Sequence, residues 1–251
     1  MFLGYTESHH NEYLRNLNIR GKIIRSIFFV SCFLPILVYL LFQFGLVEAR
    51  PKYNLALEQS VAHVVLPSSE GTAFLVSETR LLTAKHVLGQ KQVGDVVDIV
   101  FEKALPVIST TARIVWIESS NEAEPEFYLK DVAVLELTDP SSLPENYPYL
   151  ALGTSDGVST REPVILIGYP AGLLSTTSGS ISNDNVKGLE LFQLDVESWP
   201  GSSGGPLILE ETEEVIGILV AGYGQQYQGI NLANKIDNVV ELLGQSQVEL
   251  Y

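Results

Sequence analysis

The chain has 251 residues, 46% of them hydrophobic and 18% charged, which is enough apolar material for a sizeable core and one or two domains. Its formal net charge of −15 excludes nucleic-acid binding by neutralisation of phosphates, which needs clustered Lys and Arg. The single cysteine, Cys32, excludes an intrachain disulfide and a zinc–thiolate cluster. Neither a metal-ligand cluster nor a glycine-rich nucleotide loop is present in the sequence, so we expect no metal and no cofactor.

The first element predicted along the chain is a membrane-spanning helix at residues 27–47, where 21 consecutive residues carry no charge. Such a helix would be about 31 Å long, close to the hydrocarbon thickness of a bilayer. The tail at residues 1–26 has four basic side chains, and only two follow the span closely. By the positive-inside rule we expect a cytoplasmic N-terminus and an extracytoplasmic domain, either periplasmic or extracellular.

A cleaved signal peptide is the rival interpretation of this segment, because the small residues Val47 and Ala49 could mark a cleavage site. The apolar run is longer than the usual signal-peptide core, which favours an uncleaved anchor. After residue 47 the chain has eleven basic and twenty-eight acidic side chains, a net charge of −17. That charge repels anionic lipid, so we expect the predicted helix, and not the surface of the domain, to anchor the chain in the membrane.

Residues 48–58 form a predicted linker, and short apolar segments separated by turn residues follow it. The first set of predicted strands covers residues 61–66, 72–76, 81–83, 96–101, 112–117 and 132–137. A Pro- and Ser-rich connection at residues 139–146 precedes the second set, at residues 164–168, 177–182, 189–194, 206–209, 215–221 and 229–232. A helical face follows at residues 233–243. Strands of this density predict an all-β fold of antiparallel barrels.

The most informative segment is residues 200–207, PGSSGGPL, between two predicted buried strands. Glycines let a chain take positive φ and let a substrate approach closely, which a nucleophilic serine requires. Ser203 is that candidate nucleophile, His86 after the third strand is a candidate base, and Asp131 before the sixth is its candidate partner. Asp95 and Asp98 are alternatives to Asp131 without its Asp-x-Ala-x-Leu context. Each residue also has an ordinary structural interpretation: a barrel histidine, a turn aspartate and a loop serine.

These segments together resemble the chymotrypsin-like serine proteases, and more closely their HtrA/DegP-like branch. The resemblance covers residues 59–243 and includes the His…Asp…Ser order of the chymotrypsin-like double barrel. The matching motifs are TAKH at residues 83–86, DVAVL at 131–135, IGYPAGL at 167–173, SGSIS at 178–182 and GSSGGP at 201–206.

The resemblance implies two six-stranded antiparallel β-barrels, at about residues 59–138 and 150–245, with a C-terminal helix. It implies that His86, Asp131 and Ser203 form a catalytic triad, and that the backbone N–H groups of Gly201 and Ser203 form an oxyanion hole. Polypeptide substrates are implied, as is assembly into a homo-oligomer, a trimer in many relatives. HtrA-like proteases usually carry PDZ domains, and we expect none here.

Substrate selection is predicted less directly, from positions that line the primary pocket of trypsin-like relatives. Glu197, six residues before the serine, favours basic side chains before the cleaved bond if it lies at the pocket base. Val220, Ala221, Gly222 and Gly229 would line the walls. A solvent-facing Glu197 with a preference for small aliphatic residues stays open, since residues 197–199 differ from both patterns. An anchored polypeptide-binding module or chaperone with a silent triad is the alternative function.

Overall fold

A computed structural model of the chain describes residues 54–67, 69–119, 127–222 and 230–251, together with Arg15. The chain divides between Tyr53 and Asn54, and the fold is that of the second unit. Within the described ranges no helix combines the length and the apolarity that crossing a bilayer requires. The predicted anchor at residues 27–47 lies outside the described residues, as does the predicted tail apart from Arg15.

Six antiparallel strands close into a first barrel, in the order β1-β2-β3-β6-β5-β4. This barrel confirms the first predicted set, although β5 begins four residues earlier than predicted. The strands are β1 (Val61–Val65), β2 (Glu70–Leu75), β3 (Arg80–Thr83), β4 (Val96–Phe101), β5 (Ile108–Ile117) and β6 (Ala133–Leu137).

A second barrel repeats the same strand order as β7-β8-β9-β12-β11-β10. The connection between the barrels contains a short 3-10 turn, Pro140–Ser142, capped by the Asp139 side chain. The strands are β7 (Pro163–Gly168), β8 (Ser175–Asn183), β9 (Leu191–Leu194), β10 (Pro206–Leu209), β11 (Val215–Gly222) and β12 (Asn231–Lys235). The acidic run at residues 210–214 lies in the hairpin turn between β10 and β11.

Alternation along the strands divides the buried side chains between a barrel interior and a cluster that both barrels share. On β6, Ala133 and Leu135 belong to the interior cluster of the first barrel. Val134, between them, belongs to the shared cluster, which also contains Ile218 of β11. Because both faces of these strands are covered, their sequences are continuous apolar runs.

Two α-helices flank the barrels in the described part of the chain, and both differ from the sequence prediction. Helix α1 (Leu55–Gln59) lies in the segment that we predicted as a linker, and the Asn54 side chain caps it by accepting from Ala56 N at 3.1 Å. Helix α2 (Ile236–Gln245) begins three residues later than predicted, because residues 233–235 pair with β9 and β11 as the end of β12.

Candidate active site

His86 lies on a 3-10 turn (Lys85–Leu88) that follows β3 directly. The next two residues, Val87 and Leu88, are buried and pin the turn to the first barrel. Gly71 on β2 makes room for this packing, since a Cβ there would lie 2.5 Å from Val87 Cγ1. About a third of the His86 side chain stays exposed, so a substrate can reach the ring.

Asp131 stands before β6, and its fully buried carboxylate binds His86 twice. Oδ1 accepts from the His86 backbone N–H at 2.8 Å, and Oδ2 lies 2.5 Å from Nδ1. Because an ionised carboxylate only accepts, Nδ1 carries a proton, and in the neutral ring Nε2 is then free to accept one. The two alternative carboxylates, Asp95 and Asp98, are both exposed. Of the three candidate aspartates, Asp131 is therefore the one that pairs with His86.

Ser203 lies on a loop, residues 200–205, that glycine alone can build. Gly201 and Gly204 have φ of +101° and +81°, in the left-handed region. A Cβ on Gly201 would overlap the Tyr169 carbonyl oxygen, and one on Gly204 would overlap Thr72 O and Thr83 Oγ1. Because the loop packs main chain against main chain at these points, side chains are excluded from it.

Hydrogen bonds fix every carbonyl of residues 200–203. Pro200 O accepts from Ala171 N at 3.0 Å and Ser202 O from Gly205 N at 3.0 Å. Gly201 O accepts from Thr72 Oγ1, and Ser203 O accepts from Thr72 N, each at 2.8 Å. By contrast, the N–H groups of Gly201 and Ser203 have no acceptor among the described residues. The loop therefore presents two free donors on either side of Ser202.

The serine loop meets the histidine segment through Gly204. Its backbone packs against Thr83 and against the backbone N of Ala84, two residues before His86. Within the described part of the chain, no hydrogen bond joins Ser203 Oγ to His86. Catalytic hydrogen bonds are often long in ligand-free proteins and tighten when substrate binds.

A tight turn at residues 169–173 supports the loop from the other side. Ala171 has a left-handed φ of +52°, and its N–H holds Pro200 O. Tyr169 before it is fully buried, and its ring stacks on His63 with centroids 4.8 Å apart. Burial raises the pKa of Tyr169 well above its usual range, so the side chain is neutral.

The residues predicted to select the substrate lie partly on the segment before the serine loop, which carries Glu197, and partly on β11. Glu197 is exposed, and its carbonyl accepts from Thr177 Oγ1 at 3.0 Å. Ser198, the next residue, donates to Asn231 Oδ1 at 2.6 Å, and both oxygens lie where a Cβ on Gly222 would point. Glu197 lines a cavity of about 160 Å³ that borders the serine loop at Ser202. The other lining residues are Leu166, Gly168, Pro170, Ser175, Thr177, Ser198 and Trp199.

The other wall residues are less exposed. Val220 is buried and Ala221 partly buried, both on β11 beside the serine loop. Gly229 lies outside the described residues. Sequence reasoning missed Asn231, a buried amide whose Nδ2 donates to Val196 O, because nothing local marks a strand asparagine as the partner of Ser198.

Metal binding has no support in the described ranges. No group of three His, Cys, Asp or Glu side chains lies close enough together there to hold an ion. The acidic hairpin turn at residues 210–214 has no ligand loop, and Glu213 instead accepts from the Asn54 side chain at 2.8 Å.

Comparison with known proteins identifies similar sequences and folds. A DegP-like probable periplasmic serine endoprotease of Hahella chejuensis is 30% identical over 188 residues, which are 70% of this chain and 35% of that protein. The HtrA-type protease AlgW, solved with a tripeptide, has a TM-score of 0.61 at 28% identity over 79% of this chain and 64% of AlgW.

A serine endoprotease from Yersinia pestis has a TM-score of 0.60 at 22% identity, over 79% of this chain and 67% of that one, and supports the fold alone. The trypsin-like peptidase domain model matches residues 71–218, from β2 to β11 and across all three candidate residues. The chain therefore belongs to the trypsin-like peptidase domain family, and the relatives that it matches are of the DegP/HtrA type.

Proposed function

We propose that the protein is a serine endopeptidase in which Ser203 is the nucleophile, His86 the general base and Asp131 the residue that orients His86. The observation that carries the proposal is the buried contact of Asp131 with His86, because it leaves Nε2 as the proton acceptor. The packing of Gly204 against Thr83 and Ala84 supports the proposal that Ser203 and His86 lie close together.

In the first half-reaction, His86 Nε2 takes the proton of Ser203 Oγ as that oxygen attacks the substrate carbonyl carbon. The electron pair of the C=O bond moves to its oxygen, and the free N–H groups of Gly201 and Ser203 are its proposed donors. The protonated His86 then gives its proton to the leaving amine nitrogen as the C–N bond breaks, and an ester with Ser203 remains.

In the second half-reaction, His86 removes a proton from a water molecule that attacks the ester carbon. The tetrahedral oxyanion forms again in the same place, and Ser203 Oγ leaves with the proton returned by His86. Throughout, the buried Asp131 carboxylate stabilises the positive imidazole. The chain's own groups therefore supply the base, the acid and the donors, and the proposal needs no metal and no cofactor.

We further propose that the substrates are exposed or unfolded polypeptides outside the cytoplasm and that residues 27–47 anchor the chain in a membrane. The periplasmic description of the Hahella relative and the charge asymmetry around the apolar span support this location. Assembly as a homo-oligomer, a trimer on the resemblance, stays a prediction that light scattering on the purified protein would check.

Substrate selection keeps its two hypotheses. The exposure of Glu197 favours a solvent-facing carboxylate, whereas its place beside Ser198 favours a role at the pocket. Paired peptides that differ only in Arg or Val before the cleaved bond decide between them. Faster cleavage after Val would end the basic-pocket hypothesis.

Labelling with a fluorophosphonate tests the proposed nucleophile directly. We expect a covalent adduct on Ser203, with none in a Ser203→Ala variant. Peptide turnover should fall on the order of 10⁶-fold in that variant, the size of loss that removing the serine causes in another serine protease. A polypeptide-binding module or chaperone with a silent triad would keep its function after the substitution.

A further inference from the structure

Thr72 is a fully buried residue of β2 that hydrogen bonds to a loop of the other barrel. Its backbone N–H donates to Ser203 O at 2.8 Å, and its hydroxyl donates to Gly201 O at 2.8 Å. The same hydroxyl accepts from Tyr169 N at 3.0 Å. One side chain of the first barrel therefore joins two segments of the second barrel that are more than 30 residues apart in sequence.

The direction of each hydrogen bond follows from the chemistry of the partners. The Tyr169 N–H can only donate, so Thr72 Oγ1 accepts there, and its single proton goes to Gly201 O. A carbon in place of this oxygen would leave a buried donor and a buried acceptor unpaired. The hydroxyl of Thr72 therefore has one orientation that satisfies both neighbours.

This arrangement holds the two free N–H groups of the serine loop in place. The carbonyls of Gly201 and Ser203 flank the Ser203 N–H, and Thr72 holds both. The Gly201 N–H belongs to the peptide whose carbonyl, Pro200 O, accepts from Ala171 N. Ala171 follows Tyr169 by two residues, and the Thr72 hydroxyl binds Tyr169 N. This hydroxyl therefore also anchors the turn that carries Ala171 N, the donor to Pro200 O.

Glycine gives the loop conformational freedom, which hydrogen bonds to the neighbouring chain must restrict. At φ of +101°, Gly201 has no Cβ to restrict rotation of the peptides on either side of it. A rotated Pro200–Gly201 peptide would turn its N–H away and present a carbonyl to the developing negative charge. Ala171 N holds this peptide directly through Pro200 O, and Thr72 holds the next peptide through Gly201 O, so the chain is fixed on both sides of Gly201.

We propose that Thr72 is a positioning residue for the oxyanion hole, provided by the barrel that does not contain the serine. It touches no substrate and acts through the orientation of the Gly201 and Ser203 N–H groups. The proposal rests on the function proposed above, since it assigns these groups to the oxyanion.

The test compares Thr72→Val, which replaces the hydroxyl by a methyl, with Thr72→Ser, which keeps it. Ser60→Ala is the matched control, because Ser60 is also fully buried in the first barrel and its hydroxyl donates to Ala56 O at 2.8 Å, away from the loop. Each variant is purified as the full chain. Thermal unfolding is measured together with kcat and KM on a fluorogenic peptide that the wild-type protein cleaves.

We expect Thr72→Val to lower kcat by about 10- to 100-fold with KM changed less than about threefold, below the loss seen when an oxyanion donor is removed outright. Thr72→Ser should stay within about threefold of the wild-type kcat. Ser60→Ala should lower the unfolding temperature but leave kcat unchanged, which separates a loss of stability from a loss of positioning. A peptide boronate or aldehyde, whose oxygen occupies the oxyanion hole, should bind Thr72→Val more weakly by a similar factor.

Equal kcat for Thr72→Val and Thr72→Ser would overturn the proposal, as would a loss of kcat in Ser60→Ala as large as that in Thr72→Val. If the wild-type protein cleaves no peptide and does not react with a fluorophosphonate, the proposed function fails separately. Crystal structures of the two Thr72 variants then decide positioning alone. A rotated Pro200–Gly201 peptide confined to Thr72→Val supports it, and an unchanged peptide in both contradicts it.

Discussion

The two barrels share one strand order, but they place their functional groups by opposite means. The first barrel holds its two candidate residues through side chains: the Asp131 carboxylate binds both the ring and the backbone of His86. In the second barrel, Ser203 is held through the main chain of its loop: all four carbonyls of residues 200–203 are paired, two of them with Thr72 of the first barrel, and glycines stand where side chains would collide.

This difference matches what the proposed reaction requires of each half. A base needs a charged partner with a fixed orientation, and only a side chain can supply the carboxylate. A site for an oxyanion needs backbone N–H groups that point at one place, which is a property of φ and ψ rather than of side-chain identity. Substitutions should accordingly damage the first half by changing a functional group and the second half by adding atoms.

Among the substitutions that test this comparison, the largest effect is expected from Asp131→Asn, which changes the side chain that holds His86. An amide can donate to Nδ1 and so favour the wrong tautomer, as in another serine protease where the change lowers kcat about 10⁴-fold. Steady-state kinetics between pH 6 and 9 measure the loss. Asp95→Asn is the control, since Asp95 is exposed and its carboxylate accepts only from Gln92 N in the described structure. A loss within tenfold for Asp131→Asn would mean that His86 does not depend on this carboxylate.

Gly204→Ala should destabilise the serine loop of the second barrel, whose order depends on main-chain packing. A Cβ there adds left-handed strain and an overlap with Thr72 O and Thr83 Oγ1, together about 2–5 kcal/mol of unfolding free energy. Gly188→Ala is the matched control, because Gly188 has nearly the same φ, +80°, with nothing within 4 Å of the added atom. Urea unfolding should show about 1–2 kcal/mol for the control. Equal losses in the two variants would show that close packing of the serine loop is unimportant.

The smallest expected effect concerns a side-chain cluster of the second barrel. Asp237 Oδ2 accepts from Thr154 Oγ1, from the N–H and hydroxyl of Ser155, and from Asp156 N. Burial alone would raise the pKa of Asp237, but these hydrogen bonds outweigh it and hold the pKa below its usual value. The stability gained is therefore present above the unfolded-state pKa and is lost as the pH falls through the folded-state pKa.

We expect Asp237→Asn to cost about 1 kcal/mol of unfolding free energy at pH 7, since the carboxylate is exposed and screened. The difference from the wild-type protein should be smaller at pH 3, which lies below the ordinary aspartate pKa of about 3.9, than at pH 7. Urea unfolding at both pH values measures it, with Asp156→Asn as the control, because the Asp156 side chain is exposed and makes no hydrogen bond among the described residues. A difference that is the same at both pH values would contradict the assignment.

Much of the fold follows from the sequence because the buried strands are short apolar runs between turn residues. The predicted bounds of β4 and β10 agree with the structure to the residue. The missed start of β5 is polar, with Ser and Thr at residues 109–111, and gives no apolar signal. The start of α2 was placed early because Ala233 and Ile236 also fit a helical spacing, whereas pairing with two neighbouring strands decides residues 233–235.

The candidate residues His86, Asp131 and Ser203 could be found because each stands in a local motif. Thr72 could not, since its partner Gly201 lies 129 residues away, and a threonine on a strand has many ordinary roles. The free N–H groups of Gly201 and Ser203 were expected from the resemblance, but which contacts hold them is a tertiary property. The roles of the predicted selectivity residues follow least from the local sequence, because their surroundings come from β8, β11 and β12 together.

The apolar cluster that both barrels share has a consequence for dividing the chain. Phe74 and Leu82 of the first barrel and Ile208 and Ile218 of the second are fully buried in it. Either half produced alone would expose these side chains to water and aggregate. A single protease cut at the exposed residues 144–146 should, in contrast, leave two fragments that stay associated. The same surface would let the halves, when co-expressed, reconstitute a split protein.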